Sequence, residues 1–249
     1  MVSFNTKSIQ IIGHRGSAAP FQGNTLEAIL YGILSGAKMI EIDLRLSKDK
    51  EVILSHDENL SKIAGINKNI SDKTWEELSL LQIKKKKEIF RLARLKDVFK
   101  SVPGDIQFYL EIKTSIFLHS SGWDKKLADK VISLIKKEKI KKQCLVMSFE
   151  QDIAYYVKKK YPSHRVGIIL DSKTKLNTLI KNTKIKFDCL AVNYKLLTKR
   201  NLQIIRSSGI PLIVWTVNSK RLWEKIVSYR PWGIVTDYPE KFSSSDLEF

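Results

Sequence analysis

The sequence predicts an α/β protein, a (β/α)₈ TIM barrel with a small insertion after the second strand. Short apolar runs alternate with longer segments of helical period almost from end to end, which favours a parallel sheet with right-handed crossovers. The length of 249 residues suits a single closed barrel. No glycine-rich dinucleotide-binding fingerprint follows the first strand, so an open doubly wound sheet is the weaker prediction.

Eight apolar runs are predicted as the barrel strands. They are Ile9–Gly13, Met39–Leu46, Gln107–Ile112, Gln143–Met147, Arg165–Ile169, Cys189–Val192, Leu212–Thr216 and Gly233–Val235. The predicted helices between them are Thr25–Ser35, Trp123–Lys137, Glu150–Lys160, Lys173–Lys181, Lys199–Ser208 and Lys220–Ser228. Asn24 is predicted to cap the first helix, and Gly209 followed by Pro211 is predicted to end the fifth of them.

The segment from about Asp57 to Arg91 is too long for one strand–helix crossover, so we predict an insertion on the second connection. The whole chain, residues 1–249, is then one barrel domain with an insertion at about 57–91. The tract Lys84–Lys87 within it is the densest block of charge. Two interpretations of this tract stay open: a solvated loop, or a contact with anionic lipid or nucleic acid.

The composition limits the possible partners and location. The chain has 44 Lys+Arg against 26 Asp+Glu, a net charge of +18, but only nine of the basic residues are Arg. Such a Lys-rich excess indicates a solvated surface that attracts anionic substrates, and we expect no nucleic-acid partner. Two cysteines cannot form a disulfide framework. No signal peptide and no apolar run of membrane-spanning length is visible, so we expect a cytoplasmic protein with at most a weak contact to anionic lipid.

Carboxylates interrupt two predicted strands near their ends, where a barrel carries its active site. Glu41 and Asp43 share one face of the second strand because they are two residues apart, and Glu111 and Lys113 do the same on the third. Three carboxylates without Cys or His at zinc spacing indicate a hard divalent cation, Ca²⁺ or Mg²⁺. The alternative is a salt-bridge network in which Lys113 or Arg45 supplies the positive charge.

Two histidines follow predicted strands at the same end of the barrel. Because free imidazole groups titrate near neutrality, His14 and His56 are candidates for a general acid and a general base. Arg15 and Lys113 are candidates for holding a phosphoryl group. These residues predict metal-assisted hydrolysis of a phosphate ester. Trp215, on the seventh strand, is predicted either to pack inside the barrel or to line the substrate mouth.

The motifs, taken in order, resemble those of the glycerophosphodiester phosphodiesterase family. Each is weakly specific alone, but the ordered set is highly specific and runs through almost the whole chain. The motifs are Gly13-His14-Arg15-Gly16, Asn24-Thr25 with Glu27-Ala28, Glu41-Ile-Asp43, Lys48-Asp49, Val52 to His56-Asp57, Glu111-Ile-Lys113, Ser148-Phe149, Val214-Trp-Thr-Val-Asn218 and Gly233-Ile-Val-Thr-Asp-Tyr-Pro239.

The resemblance implies a (β/α)₈ barrel that hydrolyses glycerophosphodiesters to sn-glycerol 3-phosphate and an alcohol such as choline, ethanolamine or glycerol. It also implies a role for each matching residue: Glu41, Asp43 and Glu111 as ligands of Ca²⁺ or Mg²⁺, His14 and His56 as the catalytic pair, and Arg15 and Lys113 as phosphate ligands. Which histidine is the acid stays open. So does the nucleophile, which is either the glycerol 2-hydroxyl or water.

The chain departs from the family pattern where Gly23 replaces a glutamate and Lys50 replaces a glycine. Two other functions remain as alternatives. One is a lysophospholipase D type hydrolase for single-acyl lipids, whose apolar groove would be built by the insertion; its candidates are Ile63, Ile66, Ile70 and Trp75. The other is a non-catalytic basic binding protein that uses the Lys-rich surface.

Overall fold

The computed structural model describes residues 8–115, 118, 122–173, 176 and 186–242. In this part of the chain, eight parallel strands close into a barrel, because the first strand pairs with both the second and the last. These strands are β1 (Gln10–Gly13), β2 (Met39–Leu46), β6 (Gln107–Ile112), β7 (Cys144–Ser148), β8 (Arg165–Leu170), β9 (Cys189–Asn193), β10 (Leu212–Trp215) and β11 (Gly233–Thr236). Three shorter strands are β3 (Val52–Leu54), antiparallel to the end of β2, and the hairpin of β4 (Ile83–Lys85) and β5 (Glu88–Phe90).

The described helices cover the outside of the barrel and build the insertion. They are α1 (Leu26–Leu34), α2 (Ser61–Ala64), α3 (Trp75–Ser79), α4 (Leu95–Ser101), α5 (Trp123–Lys137), α6 (Gln151–Lys160), α7 (Lys199–Ser207) and α8 (Lys220–Val227). None of them is both long and apolar enough to cross a membrane. The helix predicted over Lys173–Lys181 lies outside the described residues, apart from positions 173 and 176.

The predicted barrel is confirmed, and its strand ends differ from prediction by one residue at most. The predicted cap of α1 is wrong. Thr25 is the N-cap, because its extended backbone lets its side chain accept a hydrogen bond from the Ala28 amide. Asn24 instead has a φ of 65° and turns its side chain toward Asp43. The predicted helix stop is confirmed, since Gly209 follows α7 with a left-handed φ of 64°.

Two apolar cores hold the barrel together. The strands are almost wholly buried on both faces, as expected where helices cover a parallel sheet. The inner core fills the barrel with Ile12, Met39, Tyr109, Leu145, Met147, Ile169, Cys189, Ala191, Ile213, Trp232 and Val235. The larger outer core joins strands to helices such as α5, which buries Leu127, Ala128, Val131, Ile132 and Ile135 along one stripe.

The insertion has an apolar core of its own. This insertion core consists of Ile53, Leu60, Ile70, Leu78, Ile83, Phe90 and Leu92. Ile63, Ile66 and Trp75 pack against it while Ile70 is buried within it. The four side chains suggested for an apolar groove therefore contribute to the insertion core, and Ile63 also lines a small pocket beside Arg15 and His56.

The lysine tract lies in the β4–β5 hairpin, where Lys84 and Lys85 end β4 and Lys86 and Lys87 form the turn. Lys84, Lys86 and Lys87 are exposed, as a solvated segment requires. Lys85 is half-buried, and its ammonium group donates hydrogen bonds to the backbone carbonyl groups of Ala18, Ala19 and Phe21. Three of the four lysines are therefore exposed to solvent, and Lys85 is the exception.

Candidate active site

The carboxyl ends of the barrel strands surround a cavity of about 140 Å³. All eight residues predicted for the site line it: His14, Arg15, Glu41, Asp43, His56, Glu111, Lys113 and Trp215. Its floor and walls also include Tyr109, Phe149, Ile169, Thr216 and Val235. The sequence therefore placed every predicted site residue at one opening, because the ends of parallel strands in a barrel share one face.

Three buried carboxylates form the centre of the site. Glu41 and Asp43 lie on β2. Glu111 lies on the neighbouring strand β6, directly opposite Asp43 in the strand register. One oxygen from each of the three carboxylates lies within 4.8 Å of the others. Each of these residues is at most 6% exposed. Carboxylates that are so close together and so well buried need positive charge nearby to remain ionised.

Lys113 and Arg15 supply part of that charge. The Lys113 Nζ lies 2.6 Å from Glu111 Oε1 and 3.3 Å from Asp43 Oδ1. The Arg15 Nε lies 2.9 Å from Asp43 Oδ2. The salt-bridge interpretation thus holds for Lys113. Arg45 forms no ion pair with these three carboxylates; it donates hydrogen bonds to the carbonyl oxygens of His56 and Thr114, and its Nη1 lies 3.9 Å from Glu58 Oε2.

The three carboxyl groups titrate differently. Burial and the nearby Asp43 and Glu111 carboxylates raise the pKa of Glu41 well above its usual range. Burial and Asp43 raise the pKa of Glu111 to about 7, against the opposing effect of Lys113. Burial would also raise the pKa of Asp43, but Lys113 and Arg15 outweigh it and hold that pKa well below the usual range. Two of the three acids therefore lack sufficient positive charge.

The carboxylate cluster fits a hard divalent cation. Glu41 Oε1 is buried and has no hydrogen-bonding partner among the described residues. An unpartnered buried carboxylate oxygen is costly unless a cation satisfies it. Oxygen ligands from three carboxylates are the donors that Ca²⁺ and Mg²⁺ prefer. Glu41, Asp43 and Glu111 could therefore hold such an ion.

Each of the two histidines at the cavity contacts an aspartate. His14 Nδ1 lies 2.5 Å from Asp237 Oδ1, and His56 Nδ1 lies 3.0 Å from Asp57 Oδ1. Although burial alone would raise them, the pKa values of Asp237 and Asp57 are lowered by these histidine contacts. Because an ionised carboxylate has no proton to give, both Nδ1 atoms are donors, which leaves both Nε2 atoms outside these two hydrogen bonds.

The surroundings of the two histidines differ. Asp237 also accepts a hydrogen bond from the Asn218 side chain at 2.5 Å, and His14 Nε2 lies 3.9 Å from Glu41 Oε2. Burial and the Lys113 ammonium lower the pKa of His56, although Asp43 opposes them. His56 in the free protein is therefore neutral to a lower pH than an ordinary histidine.

The β1–α1 loop (residues 14–25) brings Arg15 and Asn24 to the carboxylates. Gly16 has a φ of 90°, and a Cβ there would collide with the backbone of Ala28 on α1. This close packing turns the Arg15 amide toward Glu41, to which it donates a hydrogen bond of 2.8 Å. Asn24 donates to Asp43 Oδ2 at 2.8 Å and accepts from the Asp43 amide at 3.1 Å.

Gly23, the main departure from the family motifs, lies against Arg15. A Cβ at position 23 would lie 2.9 Å from the Cβ of Arg15. A side chain there would therefore displace Arg15 or the loop around it. The glycine leaves room for the Arg15 side chain to reach Asp43.

Trp215 combines the two positions that the sequence left open. Its ring packs edge to face on Phe149, with centroids 5.5 Å apart, and contacts the inner core. It also lines the cavity. Its Nε1 is buried without a hydrogen-bonding partner among the described residues.

Sequence reasoning missed three polar residues that orient the site. Asn24 was assigned to a helix cap, and Asp57 and Asp237 were recognised as motif residues without a role. All three act by hydrogen bonds to Asp43, His56 and His14. The pairing of His14 with Asp237 joins residues 223 positions apart, so only their place at adjacent strand ends could have suggested it.

Comparison with known proteins places these motifs in one family. The model of the glycerophosphoryl diester phosphodiesterase family matches residues 14–241. A glycerophosphodiester phosphodiesterase of Thermotoga maritima is 30% identical; the alignment covers 94% of this chain and 96% of that one, with a TM-score of 0.79.

Two further proteins are similar at lower identity. A phosphodiesterase of Oleispira antarctica, solved in complex with the product sn-glycerol-3-phosphate, is 22% identical with a TM-score of 0.80, over 96% of this chain and 97% of that one. At this identity the likeness concerns the fold. The human protein named lysophospholipase D GDPD3 is 24% identical over 94% of this chain and 84% of its own length.

Proposed function

The chain belongs to the glycerophosphoryl diester phosphodiesterase family, and from this premise we propose that the enzyme hydrolyses glycerophosphodiesters to sn-glycerol 3-phosphate and an alcohol. The family expected from the ordered motifs is thereby confirmed. Choline, ethanolamine and glycerol are the candidate alcohols. The observation that carries the proposal is the set of two histidines, two cations and three carboxylates around one cavity. The complex of the Oleispira antarctica protein with sn-glycerol-3-phosphate supports the choice of product.

Glu41, Asp43 and Glu111 would hold a divalent ion, Ca²⁺ or Mg²⁺. When bound, such an ion supplies charge to a phosphoryl oxygen and acidity to a hydroxyl group. The carboxylates fit this role because they lie within 4.8 Å of one another and one buried oxygen of Glu41 lacks a partner. A bound cation would also supply the positive charge that Glu41 and Glu111 lack.

Arg15 and Lys113 would bind the phosphoryl oxygens, since both cations border the cavity next to the carboxylates. The Nε2 of one histidine would accept the proton of the attacking hydroxyl group. The Nε2 of the other would donate a proton to the oxygen of the leaving alcohol. Asp237 and Asp57 would accept the Nδ1–H groups of the two rings, so that the neutral ring accepts a proton at Nε2 and the other ring, as the imidazolium, donates its Nε2 proton.

Release of sn-glycerol 3-phosphate from several glycerophosphodiesters, followed in a coupled assay against Ca²⁺ or Mg²⁺ concentration, tests the proposal. We expect activity that disappears when a chelator removes the ion and returns when it is added back. Full activity in the chelated enzyme would reject the carboxylate site. Phosphorus NMR of the early products distinguishes a cyclic phosphate intermediate, formed by the glycerol 2-hydroxyl, from direct attack by water.

A lysophospholipase D activity is the second candidate, favoured by the similarity to the human protein of that name. The side chains suggested for an acyl groove pack in and against the insertion core, which covers most of their apolar surface. We therefore expect the diesters without an acyl chain to be the better substrates. A higher kcat/KM for a lysophospholipid than for its deacylated counterpart would reverse this order.

A further inference from the structure

Lys85 differs from the other lysines of its tract in where its ammonium group ends. Its Nζ donates hydrogen bonds to the carbonyl oxygens of Ala18 at 2.8 Å, Ala19 at 3.5 Å and Phe21. A lysine ammonium has three N–H donors, so these three carbonyl groups use all of them. No carboxylate in the described part of the chain forms an ion pair with it. Lys85 thus binds backbone in a segment without regular structure.

A second contact joins the insertion to the same loop. The Phe21 ring lies edge-on to Phe90 of β5, with centroids 6.2 Å apart, and packs against the insertion core. Its other neighbour is Tyr31 on α1, at 4.9 Å. The β4–β5 hairpin therefore holds the loop by one polar and one aromatic contact, from residues five positions apart.

The ends of this loop carry site residues. Arg15 at one end contacts Glu41 and Asp43, and Asn24 at the other holds Asp43. Residues 17–23 between them form neither helix nor strand. Besides the insertion, the loop is held by Asp237, whose carbonyl oxygen accepts hydrogen bonds from Ser17 and Ala19. A contact that fixes residues 18–21 therefore limits the movement of both site residues.

We infer that Lys85 is a positioning residue: with Phe90, it makes the insertion a brace that holds the β1–α1 loop in the conformation that presents Arg15 to the phosphodiester. The inference rests on the proposed function for its effect on catalysis. Lys85 thereby has a positioning role that is separate from its contribution to the net charge. It also gives the insertion a role in substrate binding that needs no direct contact with the substrate.

Lys85→Met, with Lys84→Met as its matched control, tests the brace. Both changes remove one lysine from strand β4, but Lys84 is exposed. In Lys85→Met we expect KM for a glycerophosphodiester to rise about tenfold, as for a lost charged hydrogen bond, with kcat changed by less than about threefold. KM rises because Arg15 binds the substrate, whereas His56 lies outside the loop and His14, at its start, is held by Asp237. Lys84→Met should leave both constants unchanged.

Hydrogen exchange of the backbone amides of residues 17–23 supplies a readout that does not depend on activity. We expect faster exchange in Lys85→Met than in Lys84→Met, and recovery of both exchange and KM in Lys85→Arg, which keeps charge and N–H donors. An inactive wild-type enzyme would reject the proposed function while exchange still tested the brace. A Lys85→Met enzyme with unchanged KM and unchanged exchange, whatever its melting temperature, would overturn the inference. If Lys85→Met does not fold, Phe90→Leu, which removes the aromatic contact, is judged by the same two measurements.

Discussion

Glu111 shows how the barrel changes the chemistry of a single side chain. On the surface its carboxyl group would be ionised at neutral pH, but burial beside Asp43 raises its pKa to about 7. Its partner Lys113 is shared with Asp43 and compensates only in part. The carboxyl group is thus poised to exchange a proton for a cation near neutral pH.

We predict that divalent-ion affinity weakens as the pH falls through 7. Below the pKa of Glu111 the ion must displace a proton, and the raised pKa of Glu41 adds to this competition, so binding at pH 6 should be at least about tenfold weaker than at pH 8. Calorimetric titration with Mg²⁺ or Ca²⁺ in two buffers of different ionisation enthalpy measures both the affinity and the protons released. An affinity independent of pH over this range, with no proton release, would contradict the assignment of Glu111 as a ligand.

The two histidines should each be required for turnover. His14→Ala and His56→Ala should each lower kcat by about 10² to 10⁴, the range for loss of a general acid or base. His164 offers a control, because it lies at the start of β8, away from the cavity, and is buried. His164→Ala should cost stability while the folded enzyme keeps its kcat. Equal kcat in the His14, His56 and His164 variants would reject the catalytic pair.

At the scale of the element, two adjacent residues at the start of α1 have different roles: one caps the helix and the other contacts the candidate site. Thr25 caps the helix by accepting a hydrogen bond from the Ala28 amide. Asn24, the residue before it, bonds to Asp43 in the site. Both are small, polar and suitable as caps, so local sequence rules could not assign them. Asn24 is not the cap because its left-handed φ turns its side chain toward Asp43 on β2.

Alanine variants of these neighbours should therefore differ. Thr25→Ala should lower the free energy of unfolding by about 1 kcal/mol and leave kcat/KM nearly unchanged. Asn24→Ala should reduce stability by a similar amount, because alanine is strained in the left-handed region, but should also weaken divalent-ion binding by freeing Asp43. Urea denaturation and ion titration of the two variants measure this difference. Equal ion affinities in the two variants would show that Asn24 does not orient Asp43.

At the scale of the molecule, the net charge of +18 sets the field that an approaching substrate meets. The charge is carried mostly by scattered lysines, whereas among the described lysines and arginines only Arg15 and Lys113 line the cavity. The field can raise the encounter rate with an anion but cannot select a particular phosphodiester.

The salt dependence of kcat/KM should therefore follow substrate charge. Between about 20 and 200 mM NaCl, screening should lower kcat/KM for anionic glycerophosphoglycerol by up to about tenfold. Zwitterionic glycerophosphocholine, with no net charge, is the control and should change much less. Steady-state rates with both substrates at constant divalent-ion concentration give the comparison. An equal decrease for both would indicate that salt acts on the site or the ion and not on the encounter.

The barrel, and the meeting of the candidate site residues at one cavity, could be predicted from the sequence because both depend on local patterns. Buried parallel strands are short apolar runs, and Glu41 with Asp43 share a face through the two-residue period of one strand. Polar residues that interrupt such runs mark the active end of the barrel. Even the insertion was visible, as a connection too long for one crossover. The family followed from the order of the motifs.

Tertiary structure alone decided the partners of those residues. The aspartates that hold His14 and His56, the amide that holds Asp43 and the lysine that holds the β1–α1 loop depend on side-chain direction and on contacts between distant segments. The pKa of Glu111 likewise depends on burial and on how Lys113 is shared between two carboxylates. A strand's period shows which side chains share a face. It does not show which polar atom meets which, because that pairing is set only when the barrel closes.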